Sequence, residues 1–352
     1  GNTTGANNTA VGKNALKANT TGAGNVAVGT LAGDALTSGH SHVALGFCAL
    51  TTATTGEGNT ALGNGALKLT TTPNDNTAVG RRALCNNTTG ANNVSVGAYS
   101  LCCNTTGAVN TGIGMGALNF NTTGGSNTAV GQGSLYTNTS ASDNTAVGRE
   151  SLYLTTTGDC NVAVGHDAGY ANTTGHRNVY IGFQAGKNAT TPEGNTFVGR
   201  MAGCNAGTGN SNTAIGISSG IDAVKNISGT DTHQLVLGNN GTTNAYIKVS
   251  LTVTSDLRDK TEIENVKHGL DFVNKLNPIK YRFKKSRENP IGAGMKKYGF
   301  SAQEILELEG DDNVIIDNHD PENLKLTELH LLPVLVNAIQ ELTKKIKDLE
   351  DK

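Results

Sequence analysis

Apolar and polar positions alternate along the first two thirds of the chain in a pattern that returns every 17 residues. The unit reads NTAVG, NVAVG, HVALG, NTALG or NTGIG. Its apolar fourth position falls at Val11, Val28, Leu45, Leu62, Val79, Val96, Ile113, Val130, Val147, Val164, Ile181, Val198 and Ile215, without an insertion over 13 copies. A fixed period of this length marks a repeat architecture, each copy being one unit stacked on the last. Alternation within the unit and the Thr or Val at its second position predict a short strand.

Each position carries its own expectation. The fourth, always Val, Leu or Ile, is expected to fill the interior. The third is Ala in most copies, with Ser95 and Gly112 also small. It would point the other way, outward, where a second chain could come close. Tyr180 and Phe197 hold that position in two adjacent copies and would mark a change in the outer surface. The first position is Asn in 12 copies and His42 in the other. Identical amides stacked from coil to coil are expected to hydrogen-bond as a ladder. The fifth is always Gly, as a corner or a positive φ requires. Four residues past the apolar position comes Ala or Ser, then Leu or Gly, which predicts a second short strand or a corner. The recurring NTTG reads as a turn.

The expected fold is therefore mainly β: a parallel β-roll or β-solenoid of 17-residue coils over residues 1–220. Thirteen coils at about 4.8 Å give a rod of roughly 60 Å. About two or three aliphatic side chains per coil, at roughly 1.5–3 kcal/mol each, barely offset the ordering of the backbone at about 1–2 kcal/mol per residue. A slender stack is marginal alone, so several chains side by side are expected. Past Ile215 the spacing breaks. "QLVLGNNGTTNAYIKVSLTVTS" still alternates around a turn at NNG, and residues 221–254 are expected to be a β-rich neck.

Charge marks a boundary. Residues 1–254 hold 11 Lys or Arg and 10 Asp or Glu, and the last 98 residues hold 16 and 19. The formal net charge of −2 gives no electrostatic reason to expect nucleic acid as a partner. No apolar run is long enough for membrane insertion as a spanning helix. From Ser255 the pattern is mixed α and β. "KHGLDFVNKL" has helical spacing at Leu270, Val273 and Leu276, "IKYRFKK" alternates as a strand, and "YGFSAQEILEL" runs from strand into helix. The tail places Leu332, Leu335, Ile339, Leu342, Ile346 and Leu349 on a heptad seam, a C-terminal coiled-coil helix. That Ile and Leu pattern by itself favours two strands.

Two resemblances follow. The NTAVG unit is similar to the repeats in heads of trimeric autotransporter adhesins, which are parallel β-rolls assembled as trimers. "SDLRDK", "HGLDFVNKLNPIKYRF", "YGFSAQEILE" and "LLPVLVNAIQEL", in that order over 255–352, resemble the C-terminal intramolecular chaperone, a self-cleaving peptidase domain, of phage tailspikes and tail fibres such as endosialidases. That resemblance implies trimerisation and folding of the preceding fibre, then release by a single-turnover serine peptidase. It implies Ser255 as the catalytic serine, Lys260 as its partner, and cleavage between Thr254 and Ser255. The residues allow such chemistry: a hydroxyl becomes a nucleophile when a base takes its proton, and lysine serves if desolvation or a neighbouring cation such as Arg258 favours its neutral form. The plainer alternative makes Ser255 the cap of a helix starting at "DLRDK".

The expected function is a phage or viral fibre for host attachment, with a homotrimer, and a host surface glycan or receptor, as partners. The fibre would belong to the virion, outside the cell, and the chaperone would act in the host cytoplasm during assembly. Two alternatives are a trimeric cell-surface adhesin and a glycan-degrading tailspike. The latter needs paired carboxylates, for which Asp75, Asp143 and Asp159 near turns are the shaft's candidates. No cofactor is expected. The six cysteines, Cys48, Cys85, Cys102, Cys103, Cys160 and Cys204, form no CxxC pair; no metal site is expected, and they read as small structural residues. The chain opens at Gly1 inside a repeat, which suggests a fragment or a processed form.

Overall fold

The computed structural model describes residues 2–222, 225–242, 255–284, 291–312, 314–319, 321–322 and 324–351. It divides into two units, Gly1–Asn239 and Asn240–Lys352.

The first unit is a parallel solenoid. Thirteen three-residue strands, β1 (Thr9–Val11) to β13 (Thr213–Ile215), recur at 17-residue intervals, each pairing in register with the next. A fourteenth, β14 (Leu235–Leu237), adds to the stack after a longer coil that sets Thr213 against Leu235. The expected neck thus begins as one more coil; residues 243–254 lie outside the described residues. Each coil has one strand. The Ala–Leu segment expected as a second strand or corner is a chain of turns.

The strand faces the opposite way from the expectation. The third position is inside: Ala61, Ala78, Ala129 and Ala146 are fully buried. The fourth lies outside, Leu62 being 40% exposed and Ile215 45%. The first position explains the reversal. Asn59, Asn76, Asn93 and their equivalents are buried, and residues two apart on a strand share a face. Once the asparagine goes in, the third position follows it, and the second and fourth point out.

The leucine of the Ala–Leu segment supplies the interior bulk instead. Leu50, Leu67, Leu84, Leu101, Leu118, Leu135 and Leu152 are fully buried, all at φ between +49° and +53°. Left-handed backbone costs a non-glycine residue about 1–2 kcal/mol, which burial of a leucine, worth roughly 1.5–3 kcal/mol, offsets. Other coils place glycine there and fill the vacated space from elsewhere. A Cβ on Gly33 would press on Leu36, on Gly169 or Gly186 on Tyr180, on Gly203 on Phe197, and on Gly220 on Ile227. Tyr180 and Phe197 are therefore core residues, fully buried with rings 5.9 Å apart, and they mark no change of outer surface.

The amide ladder is present, and it is double. Asn93 donates its backbone N–H to Oδ1 of Asn76 at 3.0 Å, and its Nδ2 donates to the Gly107 carbonyl at 2.9 Å. A second column follows from NTTG: Asn104, Asn121 and Asn138 each donate Nδ2 to Oδ1 of the asparagine one coil back, Asn87, Asn104 and Asn121, at 2.8, 2.7 and 2.6 Å. Both columns meet on the turn carbonyl, since Asn104 also donates to Gly107 at 2.9 Å. The second column is interrupted from Leu36 to Thr70 and again at Thr155 and Ala189, and the Oδ1 atoms of Asn19, Asn138 and Asn172 beside those breaks are buried without a partner.

His42 replaces one rung. Its Nε2 contacts the Gly56 carbonyl at 2.6 Å, and its Nδ1 accepts from the Asn59 N–H at 3.2 Å. The ring must then be neutral, carrying its proton on Nε2. Burial holds its pKa below the ordinary 6.5. Between the folded and unfolded values the unfolded chain binds the extra proton, so stability rises with pH there. His42's contribution is whole above about pH 6.5 and fades as pH falls below it. Thermal unfolding at pH 7.5 and pH 5 should show wild type losing more than His42→Asn on acidification; equal losses would remove His42 from the account.

The second unit contains α1 (Leu270–Val273), β15 (Ile279–Lys284) antiparallel to β16 (Gly292–Gly299), α2 (Ala302–Glu309), a short pair β17 (Ile316–Asp317) and β18 (Lys325–Leu326), and α3 (Leu331–Glu350). Phe272, Ile305, Ile315, Ile316, Leu331 and Val334 form its core. Ser301 caps α2, its Oγ accepting from the Glu304 N–H. Two motifs distant in sequence lock together. Asn337 on α3 donates to the His268 carbonyl at 3.0 Å, and Glu341 accepts from the Leu270 N–H at 2.9 Å. A Cβ on Gly269 between them would displace the Glu341 carboxylate from this contact. No described helix is long and apolar enough to cross a membrane.

Candidate functional site

The segment from Ser255 is extended at Asp256 and closes one 3₁₀ turn at Leu257–Asp259. Asp256 caps that turn, accepting from the Arg258 N–H at 2.9 Å. Ser255 is therefore not the cap. The turn shortens the path between positions 255 and 260, and Lys260 Nζ lies 2.9 Å from Ser255 Oγ. Two of the residues expected at the site are thus brought together. Thr254, the third, lies outside the described residues.

Arg258 plays a different part from the one expected. Its Nη2 pairs with Asp256 Oδ2 at 2.6 Å and its Nε with both carboxylate oxygens at 3.1 and 3.2 Å. The guanidinium holds the Asp256 carboxyl below the usual carboxylate range. Arg258 is thus engaged by a carboxylate two residues away.

Ser255 and Lys260 are both exposed in the single chain. A hydroxyl and an amine within hydrogen-bond distance form the geometry across which a proton passes from nucleophile to base. The amine must first shed its own proton, which removal from water favours. The chain alone supplies the contact and leaves it wet.

Residues 255–315 match the family model described as chaperone of endosialidase. The match opens on Ser255, where the charge pattern changes, and ends before α3. No curated protein and no solved structure matches the chain. The chaperone domain is thus preceded by a β-solenoid shaft, the arrangement of a tailspike-type or fibre-type protein with an intramolecular chaperone.

Of the carboxylates of the hydrolase alternative, Asp75 and Asp143 do not converge. Asp75 stands four coils from Asp143, about 19 Å along the stack, where paired glycosidase carboxylates need about 5–10 Å. Asp159 Oδ1 is engaged by the Ser142 N–H at 2.6 Å. Among the described residues no group of three or more His, Cys, Asp or Glu is placed to hold a metal.

Proposed function

We propose that the chain is the shaft of a phage or viral attachment fibre whose C-terminal domain trimerises it, completes its folding and then cuts itself off between Thr254 and Ser255. The observation that carries the reading is the 2.9 Å contact of Lys260 Nζ with Ser255 Oγ at the first residue of the chaperone match. Ser255 supplies the attacking oxygen and Lys260 takes its proton. The Thr254 carbonyl carbon forms an ester with that oxygen as its bond to the Ser255 nitrogen breaks, the nitrogen takes up the proton, and water then hydrolyses the ester. The electrophoretic size of the purified chain beside its Ser255→Ala form tests the reading: two identical full-length bands would end it.

Assembly as a parallel homotrimer has two supports. On the shaft, the outward second and fourth positions form an apolar stripe that includes Val43, Leu45, Ile113, Val164 and Ile181, each more than a third exposed. In the chaperone domain, α3 buries Leu331, Val334 and Ala338 and leaves the whole heptad seam from Leu332 to Leu349 uncovered. Apolar surface of this extent is a feature of interfaces. Two further copies of the chain would cover it, and a dry trimer interface beside residue 260 would remove the water that keeps a lysine protonated. Light scattering of Ser255→Ala should return three chains per particle, and Ile339→Asn with Ile346→Asn should lower that number, because both side chains lie on the seam and outside the core. A wild-type monomer or dimer would refute the trimer.

A further inference from the structure

Cys85 and Cys102 are 17 residues apart, one coil period. The register of the stack therefore sets one thiol on the other, which counting CxxC spacings misses. Their Sγ atoms are 3.2 Å apart, and the residues are only 2% and 8% exposed. None of the other four cysteines has a cysteine 17 residues away in either direction, and all six are free thiols. Adjacent coils hold equivalent Cα atoms about 4.8 Å apart, inside the roughly 4.4–6.8 Å that a disulfide spans. Closing the sulfurs from 3.2 Å to about 2.05 Å is a movement of about 1 Å.

We propose that Cys85 and Cys102 are an oxidation site at which a peroxide closes a disulfide between two adjacent coils of the shaft. The surroundings divide the labour between the thiols. Cys102 as hydrogen-bond donor, and then the Arg82 guanidinium, hold the Cys85 thiol well below its ordinary range, while the same hydrogen bond and burial push Cys102 up. The Arg82 guanidinium assigns the attacking role to Cys85 and leaves the resolving role to Cys102, although the Sγ–Sγ contact itself allows either thiol to donate. The Cys85 thiolate attacks one peroxide oxygen; the O–O bond breaks, hydroxide leaves, and Cys85 becomes a sulfenic acid. Cys102 sulfur then attacks Cys85 sulfur; the S–O bond breaks, a second hydroxide leaves and takes up the Cys102 proton as water. Two electrons pass from the thiol pair to the peroxide. The product ties one coil to the next across a 17-residue period, so oxidation should raise the shaft's thermal midpoint by several degrees.

The test treats the full chain with hydrogen peroxide at neutral pH, alkylates the remaining thiols under denaturing conditions and maps chymotryptic peptides, since Tyr99 and Leu101 give cleavage points between the two cysteines. The expected result is loss of two hydrogens per chain, a Cys85–Cys102 link that dithiothreitol reverses, and the same link in Cys103→Ser. The link should be absent in Cys85→Ser and Cys102→Ser. The proposal is overturned if both thiols remain alkylatable, if Cys85 proceeds to sulfinic acid, or if the bond formed is Cys102–Cys103 or joins two chains.

Discussion

Wild-type chain is expected to yield a fragment that begins at Ser255, while Ser255→Ala and Lys260→Ala stay full length and still assemble. The two variants remove opposite halves of one proton transfer. Without Oγ there is no nucleophile; without Nζ, 2.9 Å away, there is nothing to take its proton. Members of such a unit each cost nearly the whole effect, on the order of 10⁴-fold or more in rate. Lys260→Arg separates charge from basicity. It keeps the positive charge, yet a guanidinium does not give up its proton at neutral pH, so this variant should also fail. N-terminal sequencing of the released domain fixes the bond. Cleavage of Lys260→Ala at the wild-type rate would show that the contact is ordinary surface hydrogen bonding. The seam variant Ile339→Asn with Ile346→Asn then asks a separate question: uncut monomers with an intact Ser255–Lys260 pair would indicate that assembly dries the site, and fast cleavage by monomers would show that the single chain is sufficient.

Gly114→Val should destabilise the shaft severely, and Gly24→Asn should hardly register. Both glycines have positive φ, +132° and +69°. They differ in what lies beside them. A Cβ on Gly114 would stand 2.5 Å from the Gly131 carbonyl oxygen, with the backbone of the next coil behind it, whereas a Cβ on Gly24 meets nothing nearer than 3.9 Å. The Gly24 site recurs in other coils as Asn7, Asp75, Asn92 and Asp143, all at φ between +55° and +59°; a short polar side chain is evidently accepted there. At Gly114 the strained φ and the collision together should cost on the order of 3 kcal/mol or more. For a unit of this size that lowers the thermal midpoint by roughly 6–12 °C, against no more than about 0.5 kcal/mol for Gly24→Asn. Equal behaviour of the two variants would mean that the fifth-position corner is permissive.

Much of the molecule is legible before any coordinate. An unbroken 17-residue spacing can only be a stack, because one inserted residue in one coil would throw every later rung out of register. Asparagine at the head of 12 copies announces the ladder, and an invariant glycine announces the corner. The change in charge at Ser255 and the ordered motifs beyond it locate the chaperone domain and the two residues of its candidate site. Tertiary structure decided the rest. Period-two alternation says that the third and fourth positions face opposite ways and is silent on which is inside; the interior went to alanine because the buried asparagine two residues earlier shares its face, a hydrogen-bond requirement that outweighs the larger side chain of valine. Bulk moved to a leucine in left-handed backbone, a conformation no pattern of hydrophobicity encodes. Tyr180 and Phe197 could be placed only once Gly169, Gly186 and Gly203 were seen to leave room for them. The role of Arg258 likewise depended on a partner two residues away, because a carboxylate that caps a turn also claims the nearest guanidinium. Periodicity determines which residues are neighbours, and only packing determines which of those neighbours meet inside.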